Sequence, residues 1–364
     1  MLTIDGSYGE GGGQLVRMAV ALSALTRRPV QVTDVRAGRR NPGLQPQHIT
    51  AVGAVAALCG AEVCGLRPGS RELVFLPGTI RGGSFRFDTR TAGSLSLVVQ
   101  ACLPVAVAAP QPVSLRLTGG TDVRSSPPFD YLQGVWLPIL RRLGLDVRVR
   151  LLKRGYYPRG GGEIEVTVRP SHRPATLGRP HPGGDGTVEG RIHASQLPSD
   201  IPRRINRGVR NTLEADGGLL SWPIAIEESA CSRFASGGAG GAVVLWAQTG
   251  SVLLGASALA EKGRSSERVG ADAAGALLAE LRAGATMDIH AADQLPVYLL
   301  RAERESSYLV CRATGHLRTM AWLLPQFLGG RVELEPEGDL IRVRCIPGTA
   351  ADEASPAPPE AQPT

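Results

Sequence analysis

Lysine is almost missing from this chain. Only Lys153 and Lys262 are lysines, and the other 38 of the 40 basic residues are arginines. Neither lysine lies in a Lys-x-Asp-Gly context, so nucleotidyl transfer through a lysine nucleophile is poorly served. No Gly-Lys-Ser or Gly-Lys-Thr follows a glycine-rich stretch, which excludes a Walker A loop. The six cysteines form no Cys-x-x-Cys pair and no histidine-flanked metal spacing. They read as reduced, mostly buried thiols of an intracellular protein. Asp5 and Glu10 stand where a secretion signal needs an apolar segment, and no uninterrupted apolar run approaches a membrane span. A cytoplasmic protein without a membrane partner is expected.

What is there suits a soluble protein of more than one domain. The chain has 364 residues, 43% apolar content and a mean hydropathy of -0.02. A net charge of +7 favours a polyanionic partner, nucleic acid above all, although the arginine skew fits a GC-rich genome equally well. Periodicity predicts helices over 14–25, 46–58, 93–107 and 129–143. It predicts strands over 30–35, 72–75, 84–87, 113–117, 145–152 and 164–168. A Pro/Gly-rich crossing at 170–186 leads into a second set of elements: strands near Arg191, at 242–249 and at 252–258, with a helix at 203–213. Helices at 270–281, from Ala291 and from His316 follow, then strands at 331–335 and 340–345. The fold class is therefore α/β (α+β), built from repeated sheet-and-helix units. We expect a discontinuous large domain (1–186 and 270–348), a small inserted domain (187–269) and a disordered tail (349–364).

Five segments carry candidate chemistry. The densest is 154–164, between two strands, where Arg154, Gly155, Pro158, Gly160, Gly161 and Gly162 combine bare backbone with arginine forks suited to phosphate. The second, 5–14, opens a helix with glycines, so free N–H groups and the helix dipole favour an anion. Gln14 and Arg17 share one face of that helix, and Glu10 could hold a divalent metal or orient a base. The third sets Arg36 and Arg39 around a glycine and brings Gln47 and His48 onto the first turn after Pro46, a cluster suited to a phosphorylated ligand or simply a solvated basic loop. In the fourth, Gln100 sits in an otherwise apolar helix and needs a partner. The fifth places Asp293, Gln294 and His316 near helix starts. A histidine there is commonly a cap or surface residue, yet an imidazole is also a nucleophile toward phosphorus.

Together, in this order and spacing, these segments resemble the RNA 3'-terminal phosphate cyclase family over residues 2–345. Gly119-Gly120-Thr121-Asp122, Glu261-Lys262-Gly263-Arg264 and Thr314-x-His316-x-x-Thr319 add to the likeness. The resemblance implies a large domain of repeated βαβαββ-type units with a smaller inserted α/β domain. It implies an ATP-dependent conversion of RNA 3'-phosphate ends to 2',3'-cyclic phosphates. His316 would be the nucleophile that takes AMP from ATP. Arg17, Arg36 and Arg39 would offset phosphate charge, with Glu10 near the triphosphate and a Mg2+ or Mn2+ ion. Gln14, Gln47, His48 and Gln100 would line the site, and Asp293 and Gln294 would contact the nucleotide side. The oligomeric state is open, a homodimer among the options.

Three other readings fit less well. Non-catalytic cyclase-like proteins of ribosome assembly lack the nucleophilic histidine, and His316 in its Thr-x-His-x-x-Thr setting argues against that class. An enolpyruvyl transferase fits poorly with so few lysines and with the 154–164 run. A plain RNA-binding module would not need Glu10, Asp293 and His316 in register.

Overall fold

The computed structural model describes residues 1–171, 173–217, 222–231 and 236–348. The tail 349–364, expected to be disordered, lies outside the described residues. Among those described, no helix is long and apolar enough to cross a membrane.

The same sheet is built repeatedly. The first unit runs β1 (Leu2–Asp5), α1 (Gly13–Thr26), β2 (Val30–Thr33), α2 (Pro46–Cys59), β3 (Glu62–Cys64) and β4 (Leu73–Leu76). Its strand order is β1-β2-β4-β3, with β1 and β2 parallel and the other pairs antiparallel. The second unit starts with β5 (Gly83–Asp88), α3 (Leu95–Val107) and β6 (Val113–Gly119). A helix then begins as α4 (Phe129–Tyr131), passes through a π-helical turn (Leu132–Trp136) and ends as α5 (Leu137–Arg142), before β7 (Val147–Lys153) and β8 (Gly162–Val168). The order β5-β6-β8-β7 repeats that of the first sheet.

An inserted unit follows: β9 (Gly186–Ser195), α6 (Ile201–Glu214), β10 (Ile224–Cys231), β11 (Gly240–Thr249), β12 (Val252–Leu259) and α7 (Ser266–Ala283). Its sheet has the order β10-β9-β11-β12. The chain closes with α8 (Ile289–Ala292), α9 (Pro296–Leu299), β13 (Ser306–Val310), α10 (Gly315–Leu323), α11 (Pro325–Leu328), β14 (Arg331–Glu337) and β15 (Leu340–Ile346). Here the order β13-β15-β14 matches the last three strands of the earlier sheets. The missing first strand is reduced to Thr286 and Met287, whose N–H groups both donate to Leu309 O, at 2.9 and 3.1 Å.

The helices of these three units share one apolar cluster, and α3, buried at every position but Leu97, runs through it. A second cluster, around Val209, Leu245 and Leu277, lies between the inserted sheet and helices α6 and α7. Val244 and Leu253 of that sheet join the large cluster instead, which ties the two together. The expected end of the inserted unit at residue 269 falls inside α7. Val269, Ala273 and Leu277 face the second cluster, so the helix belongs with the insert. The expected single helix over 129–143 is interrupted by the π turn, where Gly134 lies directly against the Trp246 ring.

Candidate active site

A cavity of about 780 Å³ opens where the starts of α1, α2 and α10 meet α3, the loop 123–128, the end of β12 and residues 290–294. Glu10, Gln14, Arg17, Arg36, Arg39, Gln47, His48, Gln100, Asp293, Gln294 and His316 all line it. The sequence places these residues over three hundred positions apart; the repeated units bring them together because each presents a helix start to the same side. The N-terminus of α1 carries no side-chain cap, so its first N–H groups are left to a ligand.

His316 sits on the first turn of α10. Thr314 caps that helix, accepting from Leu317 N–H at 2.9 Å, and its hydroxyl also donates to Asp293 Oδ1. The imidazole is half-exposed, with Nδ1 3.4 Å from Glu10 Oε2. Glu10 Oε2 is in turn 3.2 Å from Arg39 Nη2. Glycine before the histidine leaves room for the carboxylate: a Cβ on Gly315 would lie 2.2 Å from Glu10 Oε1 and would push that side chain aside. Burial lowers the His316 pKa, Glu10 opposes this, and Arg17 and Arg39 add to the lowering. The ring is therefore neutral at pH 7. A carboxylate at Nδ1 favours the proton there, which leaves the Nε2 lone pair free.

Cationic groups face it. Arg17 is buried with no ion-pair carboxylate among the described residues, and burial alone brings its pKa down to about 10. Such a charge is poorly solvated until an anion arrives. Arg36 holds its own loop, donating to the carbonyls of Asn41 and Gly43 at 2.7 and 2.8 Å. His48 accepts from Gln45 N–H through Nδ1 at 3.0 Å, which puts its ring proton on Nε2. Burial, then Arg17 and Arg36, push its pKa down to about 3, so it stays a neutral donor. A Cβ on Gly13 would fall 2.0 Å from His48 Nε2, so glycine there lets the ring approach the loop. Gln47 Oε1 accepts from Ser94 N–H at 3.2 Å and ties α2 to the start of α3. Gln14 and Gln100 each keep a buried side-chain oxygen without a partner among the described residues. Ligand donors would satisfy both.

Asp293 is the site's unusual acid. Burial is the main cause that lifts its pKa from 3.8 to about 7; the Thr314 hydroxyl opposes the rise, and Asp288 and Glu10 add to it. The folded state thus holds this proton more tightly than the unfolded chain. Stability from this group is complete below about pH 4 and is lost as pH rises to about 7. Asp293→Asn should melt higher than the wild type at pH 8, by roughly 2–4 kcal/mol at most, with the gap closing toward pH 4. Thermal melts of both proteins across that range check this.

The 154–162 run lies apart from this cavity. Arg154, Gly155, Pro158, Gly160, Gly161 and Gly162 do not line the cavity. Arg154 is buried against Asp122 and Asp130, at 3.2 and 2.8 Å, so its charge is spent inside the protein and not on phosphate.

The sequence model of the family described as RNA 3'-terminal phosphate cyclase matches residues 8–334. This chain belongs to that family. An RNA 3'-terminal phosphate cyclase of Nitrosospira multiformis is 46% identical over 350 residues, covering 95% of this chain and 97% of that protein. Those of Pyrobaculum neutrophilum and Pyrococcus furiosus are 43% and 41% identical, each covering 92% of this chain and 95% of their own length. The crystal structure of the enolpyruvyl transferase NikO from Streptomyces tendae overlaps 48% of this chain and 33% of its own, at 17% identity and a TM-score of 0.29, too slight a likeness to argue from. The chain is thus an enzyme of the cyclase family with a mixed α/β fold.

Sequence reasoning assigned no role to several other residues that line this cavity. Arg124, Ser125 and Ser126 form one wall, and Arg124 is paired with Glu261 at 2.7 Å from the end of β12. His290 lines the cavity and meets the Tyr131 ring edge-on at 6.1 Å. The Arg-Ser-Ser-Pro-Pro stretch signals a loop, but nothing local aims it at the site. A divalent ion fits the donor set in one way. Glu10 offers a carboxylate whose Oε1 makes no ion pair among the described residues, and a Mg2+ or Mn2+ site commonly combines one or two carboxylates with substrate phosphates.

Proposed function

We propose that this chain uses ATP to convert an RNA 3'-terminal phosphate to a 2',3'-cyclic phosphate, through a covalent histidine–AMP intermediate on His316 and an adenylylated RNA 3' end. The observation that carries this reading is the half-exposed His316 ring, held by Glu10 at Nδ1, in one cavity with the buried Arg17, which has no ion-pair carboxylate among the described residues, and the uncapped glycine start of α1. His316 Nε2 attacks the α-phosphorus of ATP; the bond to the bridging oxygen breaks and pyrophosphate leaves. Glu10 stabilises the positive charge the ring then carries. An oxygen of the RNA 3'-phosphate attacks the same phosphorus, the N–P bond breaks, and the RNA end becomes a phosphoanhydride of AMP. The neighbouring 2'-OH attacks the terminal phosphorus and AMP departs.

Each transfer has a physical reason. Cyclising a phosphate monoester directly would require oxide as the leaving group; AMP is a far better one, and the 2'-OH is already in place. Arg17, Arg36 and Arg39 offset the charge of the triphosphate, and His48 donates one fixed N–H. Glu10, with phosphate oxygens, would hold a Mg2+ or Mn2+ ion that neutralises charge on the triphosphate. An RNA whose terminal nucleotide lacks the 2'-OH tests the sequence of steps. The adenylylated RNA end should accumulate on a gel and no cyclic product form. An unreacted 3'-phosphate with full ATP consumption would contradict the scheme.

A further inference from the structure

Arg154 grips two carboxylates that lie on either side of a cavity wall. Its Nη1 is 3.2 Å from Asp122 Oδ2 and its Nη2 2.8 Å from Asp130 Oδ2. Asp122, Asp130 and Arg154 are all buried. His193 of β9 closes the cluster, with Nδ1 3.1 Å from Asp130 Oδ2, and Arg191 reaches Asp130 Oδ1 at 3.8 Å. Two aspartates and a histidine at this spacing could suit a metal ion. The guanidinium, however, already occupies the oxygens such an ion would use, and two arginines balance two aspartates.

Residues 123–128, between the two aspartates, line the cavity that holds His316. The segment is pinched at its base, where Phe129 N–H donates to Thr121 O at 3.0 Å. Thr121 and Asp122 N–H both donate to Gly155 O, at 2.8 and 3.3 Å, and Gly155 N–H donates to Thr121 Oγ1 at 3.0 Å. The glycines alongside serve the same end. A Cβ on Gly160 would lie 2.5 Å from Thr91 O, so the run is pressed backbone to backbone against the turn that leads into α3. On the other side Gly237 N–H donates to Arg154 O at 2.7 Å, which brings in the inserted unit.

We infer that Arg154, acting through Asp122 and Asp130, is a positioning residue that fixes the 123–128 wall of the catalytic cavity. A planar fork spans two carboxylates at once; the single ammonium of lysine keeps the charge and cannot hold both in that geometry. Arg154→Lys therefore separates charge from clamping. Hydrogen exchange read amide by amide is the test. Thr121, Asp122 and Phe129 should exchange at least about tenfold faster in the variant, while the amides of α1 keep their wild-type rates. Asp122→Asn, which removes one anchor and keeps its shape, should give the same local pattern. Equal rates at the three amides, acceleration by the same factor throughout, or loss of the fold in both variants would each overturn the inference, since each describes a residue that does not position this wall. Only the kinetic readout rests on the proposed ATP and RNA chemistry. There, KM for ATP or the RNA end should rise about tenfold with kcat within about threefold. A kcat loss with unchanged KM for both contradicts the clamp, whereas a wild type without activity contradicts the proposed function and leaves the exchange result standing.

Discussion

His316→Ala should leave the fold intact and abolish formation of the cyclic phosphate. The ring is half-exposed, and its one charged contact among the described residues is the 3.4 Å approach to Glu10, so its loss should move stability by less than about 1 kcal/mol. The rate should fall roughly ten-thousandfold or more, the scale on which removal of a covalent nucleophile acts. Among the described residues, neither of the other two histidines lining the cavity is paired with Glu10 as His316 is. His48 has its Nδ1 engaged by Gln45 and its proton on Nε2, so no lone pair faces the cavity. His290 is turned edge-on to Tyr131 at the other end of the 290–294 segment. Initial rates on an RNA with a 3'-phosphate, beside a thermal melt, check both halves. A variant that keeps activity within tenfold of the wild type would remove His316 from the chemistry.

Arg17→Gln should separate binding from stability in the opposite sense to most buried substitutions. The folded protein disfavours this charge, as the fall of its pKa to about 10 records, and no carboxylate among the described residues compensates it. Gln removes the charge and keeps a donor, so the melting temperature should hold or rise. Affinity for ATP should drop, because a charge-assisted hydrogen bond to phosphate contributes about 1.5–3 kcal/mol, or roughly 10–150-fold. Calorimetric titration with ATP and a melt on the same sample check it. A variant that binds ATP as well as the wild type would mean that Arg17 does not face the phosphates.

Much of this was readable in the sequence, for local reasons. The starts of α1 and α2 announce themselves through Gly12 and Gly13 and through Gln45 before Pro46, and their apolar spacing fixes the rest. β3 escaped because it has three residues, two of them exposed, and no alternation to detect. The sequence does not settle where α7 belongs, because its apolar face does not say which sheet it covers. The site residues were legible as a constellation in register, not one by one. In the 154–162 run the local sequence does not decide what approaches the backbone. Glycines between strands look alike whether backbone or phosphate approaches them. The groups that decide, Asp122, Asp130 and His193, lie far off in the chain and meet Arg154 only in the folded core. Arg124 was invisible for the same reason: only its pairing with Glu261 of the insert, a residue seen in the sequence merely as part of a motif, sets it at the cavity.

The covalent step is the centre of the account, and one measurement reaches it directly. The protein is incubated with ATP labelled at the α-phosphate and a divalent metal, without RNA, then denatured and digested. The expected result is an acid-labile, alkali-stable label on the peptide that contains His316, absent from His316→Ala. Folded wild-type protein that takes up no label, or carries it on another residue, would contradict it.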